Sequence, residues 1–174
     1  MSETQTAGDE RSAWFFRPVI LLAAAYLIIG IIHESAHAVT AYALNVPFTL
    51  YHFAANLARD RGSPTELAII GVAGPLCSFM LGVICWFFYT RAKGSRSELL
   101  LLNLAVFGVG TFFGNLMSAA FVGDFRGLMV TLHLPMIARY AASLVGFLAD
   151  TFHSGVWAGR GSIVLGLCGG GFIN

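Results

Sequence analysis

The sequence predicts an all-α membrane protein, a polytopic helical bundle of about four to five spans with a short strand-like segment after the first. Three observations predict it. The 174 residues are 57% hydrophobic and 11% charged, with a mean hydropathy of +0.75, whereas a soluble domain is about a quarter charged. Uncharged or nearly uncharged runs long enough to cross a hydrocarbon core of about 30 Å recur along the chain. Small residues inside those runs, Gly71, Gly74, Ser78 and Gly82, return every three or four positions, which places them on one helix face for close contact with a neighbour.

The formal charge of +1 and the lack of a basic stripe interleaved with aromatics argue against a nucleic-acid partner. Cys77, Cys85 and Cys168 form no CxxC pattern and are odd in number, so neither a disulfide framework nor a thiolate metal site is expected. Residues 1–17 form a polar N-terminal tail expected to fray, ending in an interfacial Trp14-Phe15-Phe16 anchor. Residues 18–174 make a single membrane-embedded domain with no long linker or internal repeat.

The first span runs from Pro18 to Leu44 and contains His33-Glu34-Ser35-Ala36-His37. On a helix the two histidines lie one turn apart on one face, about 6 Å from each other, and can hold one metal ion from two sides. Glu34, rotated by about 100°, can reach a water at that metal without being a ligand. Ionisable side chains deep in an apolar run cost several kcal/mol unless they are paired or metal-bound. The motif accounts for their presence. Ala36-His37-Ala38 also matches a signal-peptidase site, but cleavage there would destroy the motif.

Asn45-Val46-Pro47 ends this helix, and residues 48–53 mix aromatic and β-branched side chains in the manner of a short strand. Such a strand could clamp an extended peptide. Ser63-Pro64-Thr65-Glu66 announces the second span, Leu67 to Tyr89, with a capping box and a proline at the first helical position. Gly74-Pro75 adds a kink. A basic loop with Arg91, Lys93 and Arg96 follows, then a third span from Leu99 to about Val122 carrying Asn103 and Asn115. Leu128 to Ala149 reads as a fourth span interrupted by Pro135. The glycine-rich stretch from His153 to Asn174 is too short and broken for a full crossing. His133 and His153 are expected to satisfy local hydrogen bonds, and Arg139 to pair with a carboxylate or snorkel to the interface.

A third metal ligand must share a side of the membrane with the end of the first span. Counting crossings puts Asp124 on that side and Glu98 on the other. Glu66 is the second choice and His52 the third.

The motif in a membrane helix, a following span with Ala73-Gly74-Pro75-Leu76, and a later Asn-containing span ending before an Asp together resemble the site-2 protease family of intramembrane zinc metalloproteases. The likeness covers roughly residues 18 to 130 and is to a compact member without a PDZ-like domain. It implies a zinc ion held by His33, His37 and Asp124, Glu34 as the catalytic base, and a membrane-spanning protein substrate in the bilayer. Asn115 is then a candidate oxyanion or substrate contact. The sequence departs from the family pattern in having Phe125 after Asp124, no proline between Asn115 and Asp124, and Ser78 where an Asn often stands. A catalytically inactive scaffold or regulator of the same fold is the alternative. A di-iron membrane oxygenase would need more histidines than the five present. The distribution of Arg and Lys between the loops favours an external active site, whereas the resemblance implies one nearer the cytosol.

Overall fold

The computed structural model describes residues 3–51, 54–58, 61–95 and 97–169, so His52, Arg59 and Arg96 lie outside the described residues, as do the side chains of Trp14, Phe15 and Cys168. Five helices and one hairpin follow in the order α1 (Glu3–Ala43), β1 (Phe48–Tyr51), β2 (Ala54–Leu57), α2 (Pro64–Tyr89), α3 (Glu98–Met117), α4 (Asp124–Thr131) and α5 (Met136–Gly169). Phe16–Ala43 of α1, all of α2 and all of α3 are long and apolar enough to cross a membrane. The architecture is that of an all-α helical membrane protein.

Along α1 the buried positions on its packed face recur every four residues: Ala25, Ile29, His33, His37 and Ala41 are all under a tenth exposed. On α2 the buried set includes Ile70, Gly74, Ser78 and Gly82 at the same interval. Spacing by four on both partners suits ridges packed into grooves, and the glycines let the backbones approach. An added Cβ at Gly82 would stand 2.7 Å from the Val109 nitrogen of α3, and one at Gly108 would stand 2.6 Å from the Ser78 carbonyl oxygen. The α1–α2–α3 interior carries two apolar clusters. One joins Ala25, Ile29, Cys85, Leu104 and Ala105, and the other joins Ala41, Val46 and Ile70. His33 and His37 fall between them along α1.

Helix ends follow local chemistry. Asn45, at φ 56°, closes α1 in a Schellman arrangement in which the Val46 amide donates to the Ala41 carbonyl at 2.9 Å and the Asn45 amide to that of Tyr42 at 3.1 Å. Ser63 and Glu66 form the expected capping box of α2, with the Ser63 amide 2.8 Å from the Glu66 carboxylate and the Glu66 amide 3.3 Å from the Ser63 hydroxyl. His133, at φ 54°, repeats the Schellman closure after α4, the Leu134 amide donating to the Met129 carbonyl at 2.9 Å.

Several boundaries differ from the sequence reading. The polar tail is not a frayed segment: α1 begins at Glu3 and runs on through Pro18, because residues 3–17 contain no proline and a single glycine to oppose helix extension. The strand-like stretch is one arm of an antiparallel hairpin, with Phe48 opposite Leu57 and Tyr51 opposite Ala54. The third span ends at Met117, five residues early, in a turn that leads to Gly123. Pro135 separates α4 from α5 and does not kink a single span, and α5 continues without a break through residues 149–153. It is seated on α3 by Gly146, whose missing side chain admits the Met117 backbone, on the turn after α3 by the Ser143 hydroxyl accepting from the Ala120 amide at 2.9 Å, and on α2 by Trp157 packed edge-on to Trp86 at 4.6 Å.

Candidate metal centre

His33 and His37 project from consecutive turns of α1 towards α2, and the first residue of α4 meets them there. The His33 Nε2 lies 3.0 Å from Asp124 Oδ2, the His37 Nε2 3.5 Å from Asp124 Oδ1, and the two Nε2 atoms 3.2 Å from each other. These three residues could hold a metal ion. The crossing count that favoured Asp124 is matched by direct proximity.

The outer nitrogens of both rings are engaged by α2. His37 Nδ1 donates to the Ile70 carbonyl at 2.6 Å, and His33 Nδ1 lies 3.1 Å from the Ser78 hydroxyl. A carbonyl can only accept, so Nδ1 of His37 carries the proton and a neutral His37 presents a lone pair at Nε2. That lone pair faces another imidazole nitrogen and a carboxylate oxygen. Acceptor then opposes acceptor unless a cation, proton or metal, sits among them. The donor types, two imidazole nitrogens and a carboxylate oxygen, are ones zinc takes. Ligand atoms about 2.0–2.1 Å from a tetrahedral ion are about 3.3–3.4 Å apart; the two Nε2 atoms, 3.2 Å apart, are close to that edge length, and each lies near a different Asp124 oxygen, with one ligand atom from each residue within 4.8 Å of the others. A hydrogen bond from each histidine's other nitrogen is the usual support for metal-ligating imidazoles.

The site is closed on the α2 side and open past Asp124. The two histidine side chains are 9% and 7% exposed, while that of Asp124 is 29% exposed. Burial alone would push the Asp124 carboxyl up, but where His33 and His37 carry a proton on Nε2 their hydrogen bonds and charge outweigh burial and hold it below the ordinary carboxylate range. Gly74 is what brings α2 this close: a Cβ there would run into the His37 imidazole, standing 2.7 Å from both Cδ2 and Cε1. Pro75, one residue on, lacks the amide that would bond the Gly71 carbonyl in the otherwise continuous α2.

Glu34, one residue round the helix from His33, is partly buried and supplies none of the three converging ligand atoms. Asn115, at the end of α3, directs its side chain to the start of α4. Its Oδ1 accepts the Asp124 backbone amide at 3.3 Å, and its Nδ2 donates to the Thr111 carbonyl at 3.2 Å. The nitrogen that an oxyanion contact would use therefore already has a partner. Phe125, the departure from the family pattern, is buried with its ring edge-on to Phe112 at 5.4 Å.

The other candidate ligands are elsewhere. Glu66 is held in the α2 capping box, and Glu98 accepts from the Gly94 amide at 2.6 Å. His153 bonds the Val106 carbonyl at 3.3 Å and accepts from the Trp157 indole at 2.7 Å, a local role as expected. Arg139 caps the Leu134 carbonyl through Nε and Nη2 and pairs with no carboxylate among the described residues.

Sequence reasoning passed over the part played by Ile70, Gly74 and Ser78. The small face of α2 looked like packing alone, yet Gly74 lies against His37 and the Ser78 hydroxyl meets His33, while Gly82 and the Ser78 backbone serve the α2–α3 contact. The available signal was the shared spacing of four: 70, 74 and 78 on α2 run in step with 33 and 37 on α1. No family model, curated protein or solved structure matches this chain.

Proposed function

We propose that this chain is a multi-pass integral membrane zinc metalloendopeptidase of the site-2 protease type, which hydrolyses peptide bonds of membrane-spanning substrates. The observation that carries the reading is the convergence of Asp124, at the start of α4, on His33 and His37, which lie on a helix long and apolar enough to span a membrane. A zinc ion held there supplies Lewis acidity and brings the pKa of a coordinated water near 7.

Glu34 is the general base. Its carboxylate takes the proton of the attacking water and returns it to the leaving amine. Ser78 and the Ile70 carbonyl orient the two imidazoles so that their Nε2 atoms face inward. The opening beside Asp124 admits substrate and water. The β1–β2 hairpin, which begins five residues after α1 ends, offers an extended backbone edge against which an unwound substrate segment can pair. Unwinding is required because a helix shields its own carbonyls.

The inactive-scaffold alternative drew on Phe125, and the packing of Phe125 against Phe112 explains that residue without reference to turnover. In liposomes containing a single-span substrate, a membrane-permeant chelator should abolish cleavage by the purified protein, and added zinc should restore it. Cleavage that proceeds unchanged in the chelator would overturn the assignment.

A further inference from the structure

We propose that Asn115 is a positioning residue for the metal centre, acting through the Asp124 backbone and not on the substrate; this rests on the metal-centre reading above. The histidines come from one helix and are spaced by its geometry. Asp124 has no such support. It opens an eight-residue helix reached through a turn, and the N-cap residue, Gly123, has no side chain to accept the first amides of α4.

Asn115 takes that part from nine positions back, with Oδ1 on the Asp124 amide at 3.3 Å. The orientation of its amide is fixed by partners of opposite character: an N–H faces Oδ1, and the Thr111 carbonyl faces Nδ2. Ser118 donates its hydroxyl to the Asn115 carbonyl at 3.0 Å and ties the turn to the same residue. Gly123 then closes onto this assembly. It sits at φ 88° and ψ −177°, a region in which essentially only glycine is found, and a Cβ there would stand 2.9 Å from Asn115 Oδ1 and 3.1 Å from Ser118 Oγ. On the other side of Asp124, Phe125 is buried against Phe112. The carboxylate is thus held between an amide clamp and an aromatic anchor, both provided by α3.

The two roles for Asn115 use different atoms. Positioning needs the oxygen; oxyanion stabilisation needs Nδ2. Cobalt(II) titration of the full detergent-solubilised chain, read by ligand-field absorption, should show Asn115→Ala and Asn115→Leu binding about 10- to 100-fold more weakly than wild type. Asn115→Asp keeps an acceptor oxygen for the Asp124 amide but sets its second oxygen against the Thr111 carbonyl, and should bind more tightly than Asn115→Ala. Cleavage by Asn115→Ala should return as zinc is raised to saturation, with kcat recovering towards wild type, because the reacting groups are intact once the metal is in place.

Undiminished cobalt affinity in folded Asn115→Ala, or Asn115→Asp binding no more tightly than Asn115→Ala, would overturn the proposal. So would Asn115→Asp that binds metal normally but cannot cleave at saturating zinc, the signature of a missing donor. Wild-type protein that binds no cobalt would remove the metal centre and this role of Asn115 together, whereas wild-type binding with an indifferent Asn115→Ala removes the second alone.

Discussion

Glu34→Gln should purify with the same metal content as wild type and cleave a single-span substrate roughly 10²–10⁴-fold more slowly. Glutamine has nearly the same shape as glutamate and preserves the packing of α1, and Glu34 is not one of the converging ligands. What the amide cannot do is accept a proton at neutral pH. The substitution therefore separates holding the metal from moving the proton, two functions that the proposed mechanism divides between the adjacent residues His33 and Glu34. Metal analysis and cleavage must be measured on the same preparation. Full metal content with undiminished cleavage would remove Glu34 from the mechanism, whereas loss of metal would place it among the ligands or their supports.

Gly74→Ala should weaken metal binding by roughly 100-fold while leaving a folded, membrane-inserted protein. The new methyl group would occupy the position of the His37 ring. That ring has little room to retreat, since its Nδ1 is held by the Ile70 carbonyl and the residue is 6% exposed. Overpacking of this kind costs about 1–3 kcal/mol when the surroundings yield, and here the first group to yield is the proposed ligand His37. Gly110→Ala is the matched control, because an added Cβ there meets nothing within 4 Å. Equal metal affinity in the two variants would show that α2 does not hold His37 in place.

The parts of this site legible in the sequence are those set by local rules. A five-residue motif on one helix fixes the relation of His33, Glu34 and His37 through helical geometry alone. Ser63 and Glu66 announce their capping box because both partners lie within one turn. Asp124 was reachable by counting crossings, a global argument that still needs no coordinates. Residues whose roles depend on which helix faces which were harder to read. Ser78 looks like any small residue in an apolar run until α1 is placed beside it. Asn115 has the composition of an oxyanion donor, and only the turn from Ser118 to Gly123 shows its oxygen facing the Asp124 amide. The continuity of α5 was obscured for a related reason. Its glycines and polar residues weaken the hydropathy signal, whereas the contacts that seat it, Gly146 on Met117 and Trp157 on Trp86, come from tertiary packing.

His33, His37 and Asp124 are proposed to form one zinc site, and X-ray absorption at the zinc edge of protein purified without chelators tests this directly. The expected result is about one zinc per chain in a shell of nitrogen and oxygen atoms at about 2.0–2.1 Å, with the outer scattering of two imidazoles, and loss of that spectrum in Asp124→Ala. A chain that purifies without metal, or a sulfur shell near about 2.3 Å, would contradict it.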